Sequence, residues 1–280
     1  MSQVQQARKS GFYKLYRALR KSRHFPRAYF EILSTLFRNR ADWTCINYGY
    51  KPSGGTELAL EARDESERYP LQLYHLVASG ADLNGRDVLE ISSGRGGGAS
   101  FVARYHRPRS YTGMDIAASA VRFCKRQHQV PGLTFVQGDA MALPMADASF
   151  DAVLSVEASH NYTDRAHVFR QIHRLLRPGG HFLYTDVLTH SLYLKAVGFL
   201  RESGFEILKD EVISPEVLAS MQAEDARKLR MIESCMPKFL NRFARFCVGT
   251  TDSYPYLKIK EGESTYFRVV ARRLEPIKAG

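Results

Sequence analysis

The residues of this chain that could do chemistry stand at the ends of short apolar runs. Leu89 to Phe101 reads LEISSGRGGGASF, with glycine at four of the five positions from Gly94 to Gly98, and Gly94 and Gly96 fall in a GxGxxA spacing. Glycine permits positive φ and close backbone approach, so such a turn can bring a ribose or a phosphate against a helix N-terminus. Asp115 follows about twenty residues later, where a carboxylate can accept both hydroxyls of a ribose. Next come Gln137-Gly138-Asp139-Ala140, Leu143-Pro144 and Asp147 to Asp151, in shape GDAxxLPxxDxSFD. There the Asp139 carboxylate and the Ala140 amide are placed to read an adenine edge. The glycine loop alone leaves a dinucleotide enzyme open; the GDA segment is nothing that dinucleotide binding requires. Further on, His160 follows the fourth apolar run, while Asp186 and His190 follow the fifth. Asp186 there can orient a basic imidazole or bind an acceptor hydroxyl, and histidine is the usual proton acceptor at neutral pH.

These positions need a scaffold, and the apolar pattern supplies one. Runs at 87–91, 110–115, 133–137, 150–156 and 181–186 alternate with helical stretches at 97–105, 118–127 and 165–176. This alternation predicts βαβ units and a parallel sheet covered by helices on both faces. Asp164 is placed to cap the third helix, and Pro178-Gly179 to stop it. A helix at 193–203, a strand at 205–212, a largely helical segment at 214–246 broken at Pro237, and a last strand at 265–272 complete the pattern. Two late strands after five parallel ones suggest an antiparallel finish at one edge. The organisation reads as an N-terminal helical lid (1–80), a nucleotide-binding core (81–190) and a C-terminal part of the sheet (191–280) carrying a helical insertion.

The GDA segment, the LLRPGG turn at 175–180 and Tyr184-Thr185-Asp186 resemble the class I S-adenosylmethionine-dependent methyltransferases. That resemblance implies an α/β Rossmann-like fold with a seven-stranded, mostly parallel sheet. In detail the chain is similar to the bacterial phthiotriol and phenolphthiotriol dimycocerosate methyltransferases and related natural-product O-methyltransferases. The likeness runs through INYGY (46–50), YPLQLYH (69–75), YTGMD (111–115), VPGLTFVQGDA (130–140) and EASHNY (157–162). It departs from that group at Ser93 and Arg95, where Cys and His are usual, and at Asn161, where Cys is usual.

By that resemblance the cofactor is S-adenosylmethionine. Glu90 holds its methionine amino group, directly or by way of water, and Ser92, Gly94 and Gly96 form the loop beside it. Asp115 binds the ribose hydroxyls, Ile116 packs on the adenine, and Asp139 and Ala140 contact the adenine amine. Glu157 faces the methyl donor, Tyr48 caps it from the N-terminal segment, and His160 lies in the loop facing the transferred methyl. Arg95 is expected to point outward or to pair with the cofactor's carboxylate or a neighbouring acid. The expected reaction is methyl transfer to a hydroxyl of a bulky hydrophobic acceptor, a lipid, polyketide or other secondary metabolite; carbon or nitrogen methylation would use the same cofactor site.

Composition narrows the partners. The formal charge of +11 is concentrated at the start, where ten of the forty Lys and Arg precede residue 41 against one acid, Glu31. Apolar stripes at Phe12, Leu15, Tyr16 and Leu19, and at Phe30, Leu33, Leu36 and Phe37, predict two amphipathic helices there. They pack as a lid on the core or touch an anionic membrane surface or a substrate carrier. Nucleic acid is disfavoured, because the NPPY-type element of base-modifying enzymes is replaced by EASHNY. Methionine and phenylalanine at Met221, Met231, Met236, Phe239, Phe243 and Phe246 suit an adaptable apolar pocket. The scattered Cys45, Cys124, Cys235 and Cys247 form no CxxC, and no His/Asp/Glu spacing calls for a metal, so metal independence is expected. No run approaches the length of a membrane span and the polar start lacks a secretory core, so the reading is a cytoplasmic protein, with peripheral membrane contact open through its basic helices.

Overall fold

A computed structural model describes residues 2–9, 13, 18, 25–38, 40–54, 58–235 and 238–274. Seven strands, β1 (Asp87–Ile91), β2 (Ser110–Asp115), β3 (Leu133–Gln137), β4 (Phe150–Val156), β5 (Leu176–Leu188), β6 (Phe205–Val212) and β7 (Thr265–Arg273), form one sheet. Their order is β3-β2-β1-β4-β5-β7-β6. Neighbours from β3 to β5 are parallel, and β7 runs antiparallel between β5 and β6. Chain order reverses between β1 and β4, and in such a sheet ligands bind at the strand ends beside that reversal.

Successive strand residues point to opposite faces, and both faces are covered, so the strands read as nearly continuous apolar runs. Val88, Leu154, Leu183 and Val270 join one core cluster with Phe101 and Tyr111. Their chain neighbours Leu89, Val153, Phe182 and Val269 join the other with Phe169 and Ile172. Helices Gly97–Tyr105, Ala118–Gln127 and Arg165–Leu175 connect the parallel strands, and Asp164 caps the last of them by accepting the His167 amide at 2.9 Å.

Several boundaries differ from the sequence reading. The Arg165–Leu175 helix ends within one residue of the expected end, but Leu176 just beyond it is already extended and pairs with Phe150 of β4. The strand therefore starts five residues early. The helix after β5 spans His190–Glu202, beginning before Tyr193. Between β6 and β7 the helical insertion comprises Ser214–Cys235, a short 3-10 turn at Lys238–Leu240, and helices Asn241–Val248 and Tyr254–Lys260.

The first N-terminal stripe, Phe12 to Leu19, lies outside the described residues, apart from Tyr13 and Ala18 between its members. The second forms helix Phe25–Leu36. Leu33 and Phe37 are buried in a third cluster with Trp43, Met231, Ile232, Ala244 and Val248, and Phe30 packs against it. Leu36 is exposed instead: the helix ends there, and the turn beyond it carries Phe37 onto Trp43, ring centroids 4.4 Å apart. The cap over the sheet is thus built from both ends of the chain.

Candidate active site

Two cavities meet at the carboxyl ends of β1 and β4. The larger, about 710 Å³, is lined by Ser92, Gly94, Asp115, Ile116, Asp139, Ala140 and Glu157, with Tyr74, Asn161 and Tyr162 among the others. Beyond β1 the chain turns through Ser92 (φ 62°), Gly94 (φ 56°) and Gly96 (φ 76°) into the Gly97–Tyr105 helix. Among the described residues, a Cβ on Gly94 would meet only Ile46, at 3.8 Å, whereas one on Gly98 would overlap the Tyr74 ring. Gly94 thus keeps the cavity wall low, and Gly98 lets the helix close on its neighbour. Ser92 and Glu157 (φ 50°) are not glycines, and left-handed backbone costs each of order 1 kcal/mol or more. They follow two paired strands, Ser92 bordering the larger cavity and Glu157 bordering both.

Asp115 accepts the amides of Gly94 (2.8 Å, Oδ2) and Ala117 (2.9 Å, Oδ1), which fix its carboxylate toward the loop. Burial pushes its pKa up to about 6 against the pull of those amides. A carboxylate retains lone pairs beyond two amides, so it can still accept hydroxyls. Asp139 accepts the Met141 amide at 2.9 Å and presents Ala140 on the same wall. Ser92 Oγ and the Tyr162 hydroxyl lie 3.3 Å apart.

The smaller cavity, about 180 Å³, is lined by Tyr48, Glu157, His160, Asn161, Lys228 and Phe246, together with apolar residues of the cap. Glu157, Asn161, Phe30 and Ile46 border both cavities. Glu157 accepts the Tyr48 amide (2.7 Å) and the Tyr266 hydroxyl (2.5 Å), and burial raises its pKa to about 7. His160 Nδ1 lies 2.7 Å from Asp186 Oδ1. Asp186 is fully buried and also accepts Ser159 Oγ (2.5 Å) and the amides of His160 (3.0 Å) and Val187 (2.7 Å). Burial would push that carboxyl up, but the imidazole and these donors outweigh it and hold it below its ordinary range. An ionised Asp186 fixes the proton on Nδ1 and makes Nε2 the basic nitrogen. A nucleoside-sized cavity with buried carboxylates thus adjoins a small chamber with an oriented imidazole.

A methyltransferase domain family matches residues 89–184. The probable phthiotriol/phenolphthiotriol dimycocerosates methyltransferase 2 of Mycobacterium ulcerans (strain Agy99) is 39% identical over 210 residues, covering 75% of this chain and 81% of that protein. The chain belongs to the S-adenosylmethionine-dependent methyltransferases. The methyltransferase is also 42% identical over 181 residues to the fatty-acid O-methyltransferase of Mycolicibacterium smegmatis (strain ATCC 700084 / mc(2)155), covering 65% of this chain and 66% of that one. Among solved structures it shares its fold with the cyclase SpnF (TM-score 0.72, 21% identity, 91% of this chain and 98% of that one). It shares it also with geranyl diphosphate C-methyltransferase from Streptomyces coelicolor A3(2) (TM-score 0.67, 13% identity, 90% and 97%).

Several expected site residues of the methyltransferase stand back from its cavities. Glu90 lines neither of them: its carboxylate is enclosed by the hydroxyls of Tyr74 (2.7 Å) and Tyr111 (2.9 Å), and burial raises its pKa to about 7. Tyr74 is the member of that set on the cavity wall. Gly96 faces Phe135, Cys124 and His128 beneath the loop. Asp186 lies behind His160, and His190 is exposed beside Tyr193. Arg95 corrects the sequence reading. It is 1% exposed and pairs with no acid among the described residues, donating instead to the carbonyls of Trp43 (2.8 Å), Phe37 (3.0 Å) and Arg40 (2.8 Å) and lying 3.7 Å from the Phe123 ring centroid. Burial lowers its pKa to about 10, and the three carbonyls offset only part of the lost hydration. Of the late apolar residues, Phe246 reaches the smaller cavity, while Met221 and Met231 are core; Met236 and the side chain of Phe239 lie outside the description. Among the described residues, no group of His, Cys, Asp and Glu converges as a metal site.

Proposed function

We propose that the methyltransferase moves a methyl group to a hydroxyl of a bulky hydrophobic, lipid-like acceptor, with His160 taking the hydroxyl proton and Asp186 orienting His160. The observation that carries this reading is the 2.7 Å contact between His160 Nδ1 and Asp186 Oδ1 at the wall of the smaller cavity. The relatives named for phthiotriol and for fatty acids support the acceptor class, as do the apolar residues of the cap. In this reading Asp115 and the Gly94 turn hold the ribose end of the cofactor, Ile116 packs on the adenine, and Asp139 and Ala140 meet the adenine amine. Glu157, on the wall common to both cavities, faces the methyl donor, and Tyr48 backs it. Glu90 acts through Tyr74, fixing its ring beside the loop.

S-adenosylmethionine supplies an electrophilic methyl whose leaving group is a neutral thioether. The protein therefore has no departing anion to stabilise, and positioning supplies most of the rate. A hydroxyl nevertheless loses a proton as it forms its new bond. His160 accepts that proton at Nε2, and the resulting imidazolium is stabilised by the ionised Asp186. Replacing His160 with Ala should lower kcat about 100- to 1,000-fold while leaving the cofactor Kd within about twofold, and Asp186→Asn should lower kcat at least about tenfold. Turnover by His160→Ala at the wild-type rate would contradict the proton-transfer role.

A further inference from the structure

Helix Ser214–Cys235 turns one stripe inward: Val217, Met221, Glu224, Lys228 and Met231, spaced four, three, four and three residues apart, are all buried. That spacing belongs to an apolar face, yet two of its members carry charge. Glu224 is accounted for, because it accepts the Arg227 guanidinium, Nε to Oε2 at 2.8 Å. Lys228 is not. Its residue is 3% exposed, and its Nζ has no hydrogen-bond partner among the described residues.

Burial lowers the Lys228 pKa to about 8, with the charges of Glu224 and Glu157 drawing it back up. At neutral pH it is still mainly an ammonium. Buried ammonium groups are normally paired, since an unpaired one forfeits its hydration for nothing. Lys228 lines the smaller cavity together with Arg227 and Lys258, while Glu157, the one carboxylate among the described residues of that wall, is already committed to the Tyr48 amide and the Tyr266 hydroxyl. A cationic wall with one buried, unpartnered donor calls for an anion delivered from outside.

We propose that Lys228 anchors a carboxylate carried by the acceptor, so that the substrate is a hydrophobic acid held by its carboxylate in the smaller cavity. The inference rests on that cavity being the acceptor's, as in the proposed function, and adds the chemical class of the acceptor. It does not depend on which oxygen His160 serves.

The test is equilibrium binding to the full chain saturated with S-adenosylhomocysteine at pH 7, with laurate, dodecanol and dodecyl phosphate as probes below their micelle concentrations. Wild type should bind laurate at least about tenfold more tightly than dodecanol, and Lys228→Met should abolish that preference while binding dodecanol as wild type does. Methionine is close in length and removes a buried charge, so the variant should fold; unchanged dodecanol affinity verifies the cavity directly. Equal laurate affinity in wild type and Lys228→Met would overturn the proposal. So would tighter binding of dodecyl phosphate than of laurate, which would assign the site to a phosphate. Because no methyl moves in this experiment, a failed proton-transfer role for His160 leaves its outcome untouched.

Discussion

Asp115 and Glu157 are carboxyls whose pKa values burial has raised to about 6 and about 7. For the fold, each contributes least once ionised: stability falls as pH rises from the ordinary carboxylate range to the raised value, and is level above it. For a cationic cofactor the sign is opposite, since its binding favours the ionised forms. Cofactor affinity should therefore rise between pH 5 and about 7 and level off near pH 8, as read by calorimetry. Asp115→Asn should raise the cofactor Kd about tenfold and flatten the lower part of that rise. An affinity independent of pH would remove both carboxylates from cofactor binding. Glu90 is buried as a strand-end acid should be, but it lines neither cavity: the hydroxyls of Tyr74 and Tyr111 enclose its carboxylate, and of the two only Tyr74 is among the described residues on the cavity wall.

Among elements, the joint between cap and core matters most. Glu31 of helix Phe25–Leu36 accepts the amides of Ala118 (2.6 Å) and Ser119 (3.1 Å) at the start of the helix after β2. Arg95, in the glycine loop, reaches in the other direction to the carbonyls of 37, 40 and 43. Loop and cap thus hold each other. Arg95→Met should destabilise the protein by about 2–4 kcal/mol, because sheltered carbonyls lose a charged donor, and should lower Tm by several degrees. The same variant should weaken cofactor binding; an unchanged Tm would mean the clamp contributes nothing. The strands were legible because buried parallel strands leave apolar runs bounded by Asp115, Gly138 and Glu157. The start of β5 was not, since Leu176 is already extended and pairs with Phe150, a contact with no local trace. Arg95 was misread for a related reason: a cation in a glycine loop suggests solvent or an acid, and backbone carbonyls about fifty residues away carry no sequence mark. Lys228 did leave a mark, a charge on the apolar stripe from Val217 to Met231, visible once the helix is phased.

At the scale of the whole molecule, the strand ends of the sheet and a cap built from both ends of the chain bound the two chambers, which share Glu157, Asn161, Phe30 and Ile46. In the proposed reading the two chambers hold donor and acceptor side by side and meet at these shared residues, so that an acceptor oxygen can approach the methyl in line. No helix among the described residues is long and apolar enough to cross a membrane. Whether the proposed transfer goes to oxygen is read most directly from the position of the transferred methyl. The protein should be given methyl-labelled S-adenosylmethionine and a lipid extract of the producing organism, and the labelled product located by mass spectrometry and NMR. The account predicts label on a hydroxyl oxygen of a hydrophobic product, lost with His160→Ala; label on carbon or nitrogen would contradict it.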